Sequence, residues 1–174
     1  MIPLIEKDQT LSWLPIKAQI TPLIMVLFAS LLETGPLVSV LPLLPSFGLL
    51  VALGWRLLRP ELWQAWIALP LGMSNDLING QPLGISMISW TICFLAFDII
   101  DNRLVWRNYW QDWIFASCAI IFCTLFSLFM TSWIIKGHTI LLILSIMPEI
   151  LISILLFPLV EALCAIVDRW RLAV

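Results

Sequence analysis

Apolar runs approaching about 20 residues recur along the whole chain. A helical run of that length matches the hydrocarbon thickness of a bilayer, so the repetition points to membrane helices. Composition agrees: of 174 residues 61% are hydrophobic and 11% charged, with a mean hydropathy of +1.04. A soluble domain carries about a quarter charged residues. The expected architecture is therefore an all-α polytopic membrane protein, a single integral domain over 1–174, with no separate soluble domain.

Punctuation by Pro, Gly and charge divides the chain into six expected helices, at about 16–34, 37–58, 61–78, 83–100, 112–135 and 139–167. Residues 1–15 carry Glu6, Lys7 and Asp8 and lack a small-residue cleavage site, so they form an interfacial cytoplasmic tail rather than a signal peptide. Gly35-Pro36 closes the first helix. Pro42 and Pro45 give the second an irregular or kinked start. Glu61 after Pro60 suits the N-terminus of the third, which is short for a span and is thin, tilted or partly re-entrant. Asp98, Asp101 and Arg103 mark the exit of the fourth, and Lys136-Gly137-His138 turns the fifth into the sixth.

Lys and Arg accumulate on cytoplasmic loops. Six spans put Lys7, Lys17, Arg56, Arg59, Arg103, Arg107, Arg169 and Arg171 on one side and only Lys136 on the other, so both termini are expected in the cytoplasm. Trp13, Trp55, Trp63, Trp106, Trp110, Trp113 and Trp170 are expected to form an interfacial belt at that same face. The opposite loops are very short, so partner contact falls to the helices or to the cytoplasmic face.

Catalytic chemistry has little to build with. His138 is the only His, and Cys93, Cys118, Cys123 and Cys164 lie in apolar runs without metal-ligand spacing. Phosphate-loop, nucleophile-elbow and zinc-protease motifs are absent. The expectation is a non-enzyme with no catalytic residue, metal or cofactor and no nucleic-acid partner.

Small and polar residues recur at helical spacing: Gly72, Asn75, Asp76 and Asn79; Ser86, Ser89 and Cys93; Ser117, Thr124, Ser127 and Thr131; Ser145, Glu149 and Ser153. Such faces let membrane helices approach closely and hydrogen-bond across; the alternative is a substrate-lined cavity. Glu149 lies about 15 Å into its helix, counting about ten residues at the helical rise. No Lys or Arg is expected at its depth, so it is either protonated and hydrogen-bonded to a neighbouring helix, or lines a polar cavity or faces a partner's helix. Glu33 and Asp76 fall in the outer third, where pairing with each other or with Lys136 would make an ordinary interfacial salt bridge.

The least generic stretch is Arg59 to Gly84, RPELWQAWIALPLGMSNDLINGQPLG. It has a basic-Pro opening, an apolar helix with Gly72 and Asp76-Leu77, and a turn through Gly80, Pro82, Leu83 and Gly84 into the next helix. This pattern resembles the signature region of the bacterial rod shape-determining protein MreD family. The sequence departs from it in Asn75 and Asn79 and in its Trp-rich cytoplasmic face. The resemblance implies a scaffold in the inner membrane, part of the elongation machinery of peptidoglycan synthesis. Its implied partners are an MreC-like periplasmic membrane protein, an MreB-like actin homologue, the transpeptidase and glycosyltransferase of the complex, and membrane lipid. Candidate structural or interaction residues are Arg59, Pro60, Gly72, Asp76, Gly80, Pro82, Gly84 and Glu149. The family is also thought to share its helix arrangement with the substrate-capture S-components of energy-coupling-factor vitamin transporters, which supplies the alternative function. Against it stand the missing Ala-x-x-x-Ala pair in the first helix, which has only Ala18 and Ala29, and the short outer loops.

Overall fold

A computed structural model describes residues 16–34, 45–102, 109–135 and 139–172. Within them lie six α-helices: α1 (Ile16–Glu33), α2 (Phe47–Leu58), α3 (Ala68–Asn79), α4 (Ile85–Asp101), α5 (Tyr109–Ile135) and α6 (Thr139–Leu172). A single 3₁₀ turn (Ala65–Ile67) leads into α3, and the described residues contain no strand. The interfacial tail, the start of the second expected helix, the loop from Arg103 to Asn108 and the turn at Lys136 to His138 lie outside the described residues.

Around a mostly apolar core, burial departs from that of a protein folded in water. Ser30, Asn75, Asp76, Ser86 and Ser89 are buried, while Phe28, Leu77, Ile99, Phe129 and Leu155 are exposed. Hydrocarbon as solvent explains both: apolar side chains cost nothing at the lipid face, and polar ones must find partners inside. Two helical stretches, Tyr109–Trp133 and Ile146–Trp170, are long and apolar enough to cross a membrane.

α2 is the central helix, buried from Gly48 to Leu57 and packed against α1, α5 and α6. Close approach rests on glycine. A Cβ on Gly72 would sit 2.6 Å from the Met87 Cα, so α3 and α4 cross nearly backbone to backbone there. α6 contains Pro148 and Pro158 yet stays helical. Pro158 has no N–H to offer the carbonyl of Ile154, four residues back. The Trp113 indole of α5 donates to that carbonyl instead, at 3.2 Å. The broken rung thereby becomes a tie between two helices.

Two helix starts differ from expectation. Pro45 and Ser46 are not helical, so α2 begins at Phe47. Glu61 does not open the third helix: residues 60–62 form a turn, Gln64 is extended, and the α-helix begins only at Ala68. With α2 and α3 at 12 residues each, these helices rise only about 18 Å. Non-helical backbone at membrane depth is tolerated where protein or a polar cavity surrounds it. Pro45 is buried and Ser46 lines such a cavity.

The aromatic belt also needs correcting. Trp55 and Trp63 are core residues, 0% and 2% exposed. The Trp55 indole donates to Met25 Sδ, and Trp63 meets Phe94 edge-on at 6.1 Å. A central α2 leaves Trp55 no route to the lipid interface. Trp110 and Trp170 are exposed as an interfacial residue would be, and Trp13 and Trp106 lie outside the described residues.

Candidate functional site

The α3–α4 hairpin is built around one carboxylate. Asp76 is fully buried, and it pairs with neither Glu33 nor any described cation. Its Oδ2 accepts the Gly84 N–H at 2.8 Å and its Oδ1 the Ser86 N–H at 2.9 Å. A helix leaves its first N–H groups without intrahelical partners, and an acidic side chain there also meets the positive end of the helix dipole. Asp76 thus caps the helix that follows its own, which replaces the expected interfacial salt bridge. Gly80 closes α3 in the left-handed region (φ 63°), with its N–H and that of Gln81 both turned back to the Asp76 carbonyl. Gly84 starts α4 at φ 105°. A side chain at either glycine would be strained. Pro82 is exposed in the turn between them.

Glu33 does for α2 what Asp76 does for α4. Its Oε1 accepts the Gly48 N–H at 2.6 Å and the Ser46 hydroxyl at 3.4 Å. Its Oε2 accepts from the Asn79 amide at 2.6 Å. Asn79 also donates to Asn75 Oδ1, and Asn75 donates to Ser86 Oγ, each at 3.1 Å. One hydrogen-bonded chain therefore links α1, the start of α2, α3 and α4. Asn75 and Asn79 are its central members.

The polar faces of the later helices converge beside this chain. Asn75 of α3, Ser86 and Ser89 of α4, Thr124, Ser127 and Thr131 of α5, and Glu149 of α6 line one cavity of about 180 Å³. Ser46 and Gln81 complete its polar wall. The stripes thus pack on one side and line a cavity on the other. Ser117 and Ser153 stay outside it and donate to carbonyls of their own helices.

The other end of the bundle is held by ion pairs. Arg56, 1% exposed, sits 2.5 Å from Asp98 Oδ1 and 2.9 Å from Asp101 Oδ2, with its guanidinium 5.9 Å from the Phe97 ring centre. Arg59 contacts Asp168 Oδ2 through Nε at 3.0 Å and Nη2 at 2.8 Å. These pairs tie the end of α2 to the ends of α4 and α6. Of the sequence candidates, Gly72, Asp76, Gly80 and Gly84 share the hairpin, Arg59 and Pro60 lie before α3 at its other end, and Glu149 faces the cavity from α6. Sequence reasoning missed Glu33 as a cap and Arg56 as a buried ion-pair centre. The signal for the second was present, since Arg56, Asp98 and Asp101 share one expected face.

A carboxylate that caps a helix holds structure, and an ion pair between helix ends does the same. Among the described residues no group of three His, Cys, Asp or Glu could hold a metal ion. A family model described as rod shape-determining protein MreD matches residues 16–167. No curated protein and no solved structure gives a significant match.

Proposed function

The chain belongs to the rod shape-determining protein MreD family, and from that premise we propose that it is a non-enzymatic scaffold of the cell-wall elongation complex. It sits in the inner membrane with six spans and both termini in the cytoplasm. It links an MreC-like periplasmic membrane protein and an MreB-like filament to the transpeptidase and glycosyltransferase that build peptidoglycan. The observation that carries this is the family match, which runs through all six helices. The geometry is in keeping with it: Glu33, Asp76 and the pairs of Arg56 with Asp98 and Asp101 and of Arg59 with Asp168 hold helices to one another, as a rigid membrane platform requires. Orientation rests on the eight basic residues that six spans place on the side of Arg56 and Arg59.

Depletion in a rod-shaped host should give rounded cells. Crosslinked purification followed by mass spectrometry should return a single-span, mostly periplasmic membrane protein together with the synthase pair. Normal rods after full depletion would overturn the proposal. Recovery of an ATPase with a bound vitamin would replace it with the transporter-subunit alternative. A reporter active only after export, fused at Val174, should stay silent; activity would refute the orientation.

A further inference from the structure

A bundle that only packs would close its polar faces on one another, yet here they leave a cavity of about 180 Å³. An engineered cavity of about 150 Å³ holds benzene, so a molecule of a few heavy atoms fits. Part of the lining presents acceptors. The Thr124 hydroxyl donates to the Ile120 carbonyl at 2.8 Å, and the Ser89 hydroxyl to the Ser86 carbonyl at 3.3 Å. With their protons engaged along the chain, these side chains offer oxygen lone pairs to the cavity. Ser86 Oγ accepts from Asn75.

Glu149 adds a carboxylate to this polar wall. Its side chain makes no hydrogen bond or ion pair with the described residues. Glu33 is near enough to act on it electrostatically, but Gly48, Ser46 and Asn79 already donate to Glu33. A carboxylate at membrane depth is costly without a compensating charge or donor. Too few acidic groups gather here for a divalent metal: among the described residues no group of three His, Cys, Asp or Glu is placed to hold one. Trp90 also lines the cavity, and indole rings attract cations.

We infer that this cavity binds a small organic cation, a primary ammonium bearing a hydroxyl group, with the ammonium on Glu149. A free amino alcohol and the ethanolamine headgroup of a membrane lipid share that chemistry. The test uses the full chain in nanodiscs of phosphatidylglycerol, with melting followed against added ethanolamine hydrochloride. A saturable rise in melting temperature is expected, absent with ethylene glycol or with sodium chloride at equal concentration. Glu149→Gln keeps the shape and should weaken the response about tenfold or more, as loss of a charge-assisted bond implies. Thr124→Val should weaken it by a smaller factor. Melting without ligand checks that each variant is folded.

In nanodiscs of phosphatidylethanolamine, an unchanged response identifies the free amine as ligand, and a suppressed one identifies the lipid headgroup. The inference is overturned if wild type gives no saturable response, if ethylene glycol or sodium chloride matches ethanolamine, or if Glu149→Gln responds in full. It is also overturned if binding appears only in Lys136→Ala, because the chain's own lysine would then be the occupant. None of these outcomes bears on the scaffold proposal, whose failure is read from cell shape and partners.

Discussion

Removing the Asp76 carboxylate should loosen the first turn of α4 while leaving the rest of that helix intact. Two N–H groups depend on this side chain, Ser86 in a buried setting and Gly84 in a partly buried one. A buried donor left without its acceptor costs about 1–3 kcal/mol, and less where water can reach it. Asp76→Ala should therefore destabilise the turn by about 2–4 kcal/mol. Since about 1.4 kcal/mol is a factor of ten in an equilibrium constant, amide exchange there should accelerate on the order of a hundredfold. Asp76→Asn retains one acceptor oxygen and turns its amide donors toward the other N–H. It should lose one bond rather than two and fall between Ala and the parent. Hydrogen–deuterium exchange with mass spectrometry on peptides covering Leu83 to Trp90 measures this in nanodiscs. If Asp76→Ala leaves those amides as slow as in the parent, the carboxylate does not hold the turn and the capping assignment is wrong.

Three further outcomes test the packing and the charged end. Gly72→Ala places a Cβ 2.6 Å from the Met87 Cα; relief has to come from backbone movement, so a loss of about 1–3 kcal/mol is expected in thermal unfolding, and an unchanged melting temperature would show that α3 and α4 are not so close. Arg56→Ala takes the arginine from Asp98 and Asp101 at the end of α4 and should cost about 2–4 kcal/mol, reduced from a fully buried pair because Asp98 is 39% exposed; Arg56→Lys should recover only part, since a single ammonium reaches two carboxylates less well than a guanidinium. Trp113→Phe keeps an aromatic ring, though a smaller one, and withdraws the donor from the Ile154 carbonyl, so about 1–2 kcal/mol is expected from the lost bond; restoring the helical donor with Pro158→Ala in the same chain should rescue that part, and failure of that rescue would refute the link between the two.

Much of the site was legible in the chain, but its roles were not. Asp76 stood out by spacing, Gly80 and Gly84 by the resemblance to the family's signature region, and the structure gathers them in one turn. Their task was hidden because the N–H groups that Asp76 serves lie eight and ten residues downstream, across a turn whose shape depends on two positive φ angles. Glu33 was hidden further, since its partners Gly48 and Asn79 come from two other helices. The third helix was misjudged at its start because Pro60-Glu61 is an N-terminal signal by local rules, and local rules do not see that Trp63 is drawn into the core against Phe94.

What the chain determined by itself is the solvent it folds for and the helices it folds into. Apolar runs long enough for a bilayer leave the backbone no partner but itself, and that choice needs no tertiary information. Polar periodicity likewise marked which helix faces turn inward. Only the tertiary structure decided that α2 is central, that Trp55 belongs to the core, that Arg56 finds two aspartates, and that the polar faces stop short of contact and line a cavity. Each of these depends on which helix lies beside which. In lipid, that order is set by close approach at small residues and by hydrogen bonds between distant positions; spacing marks the faces involved but not which helix each one meets.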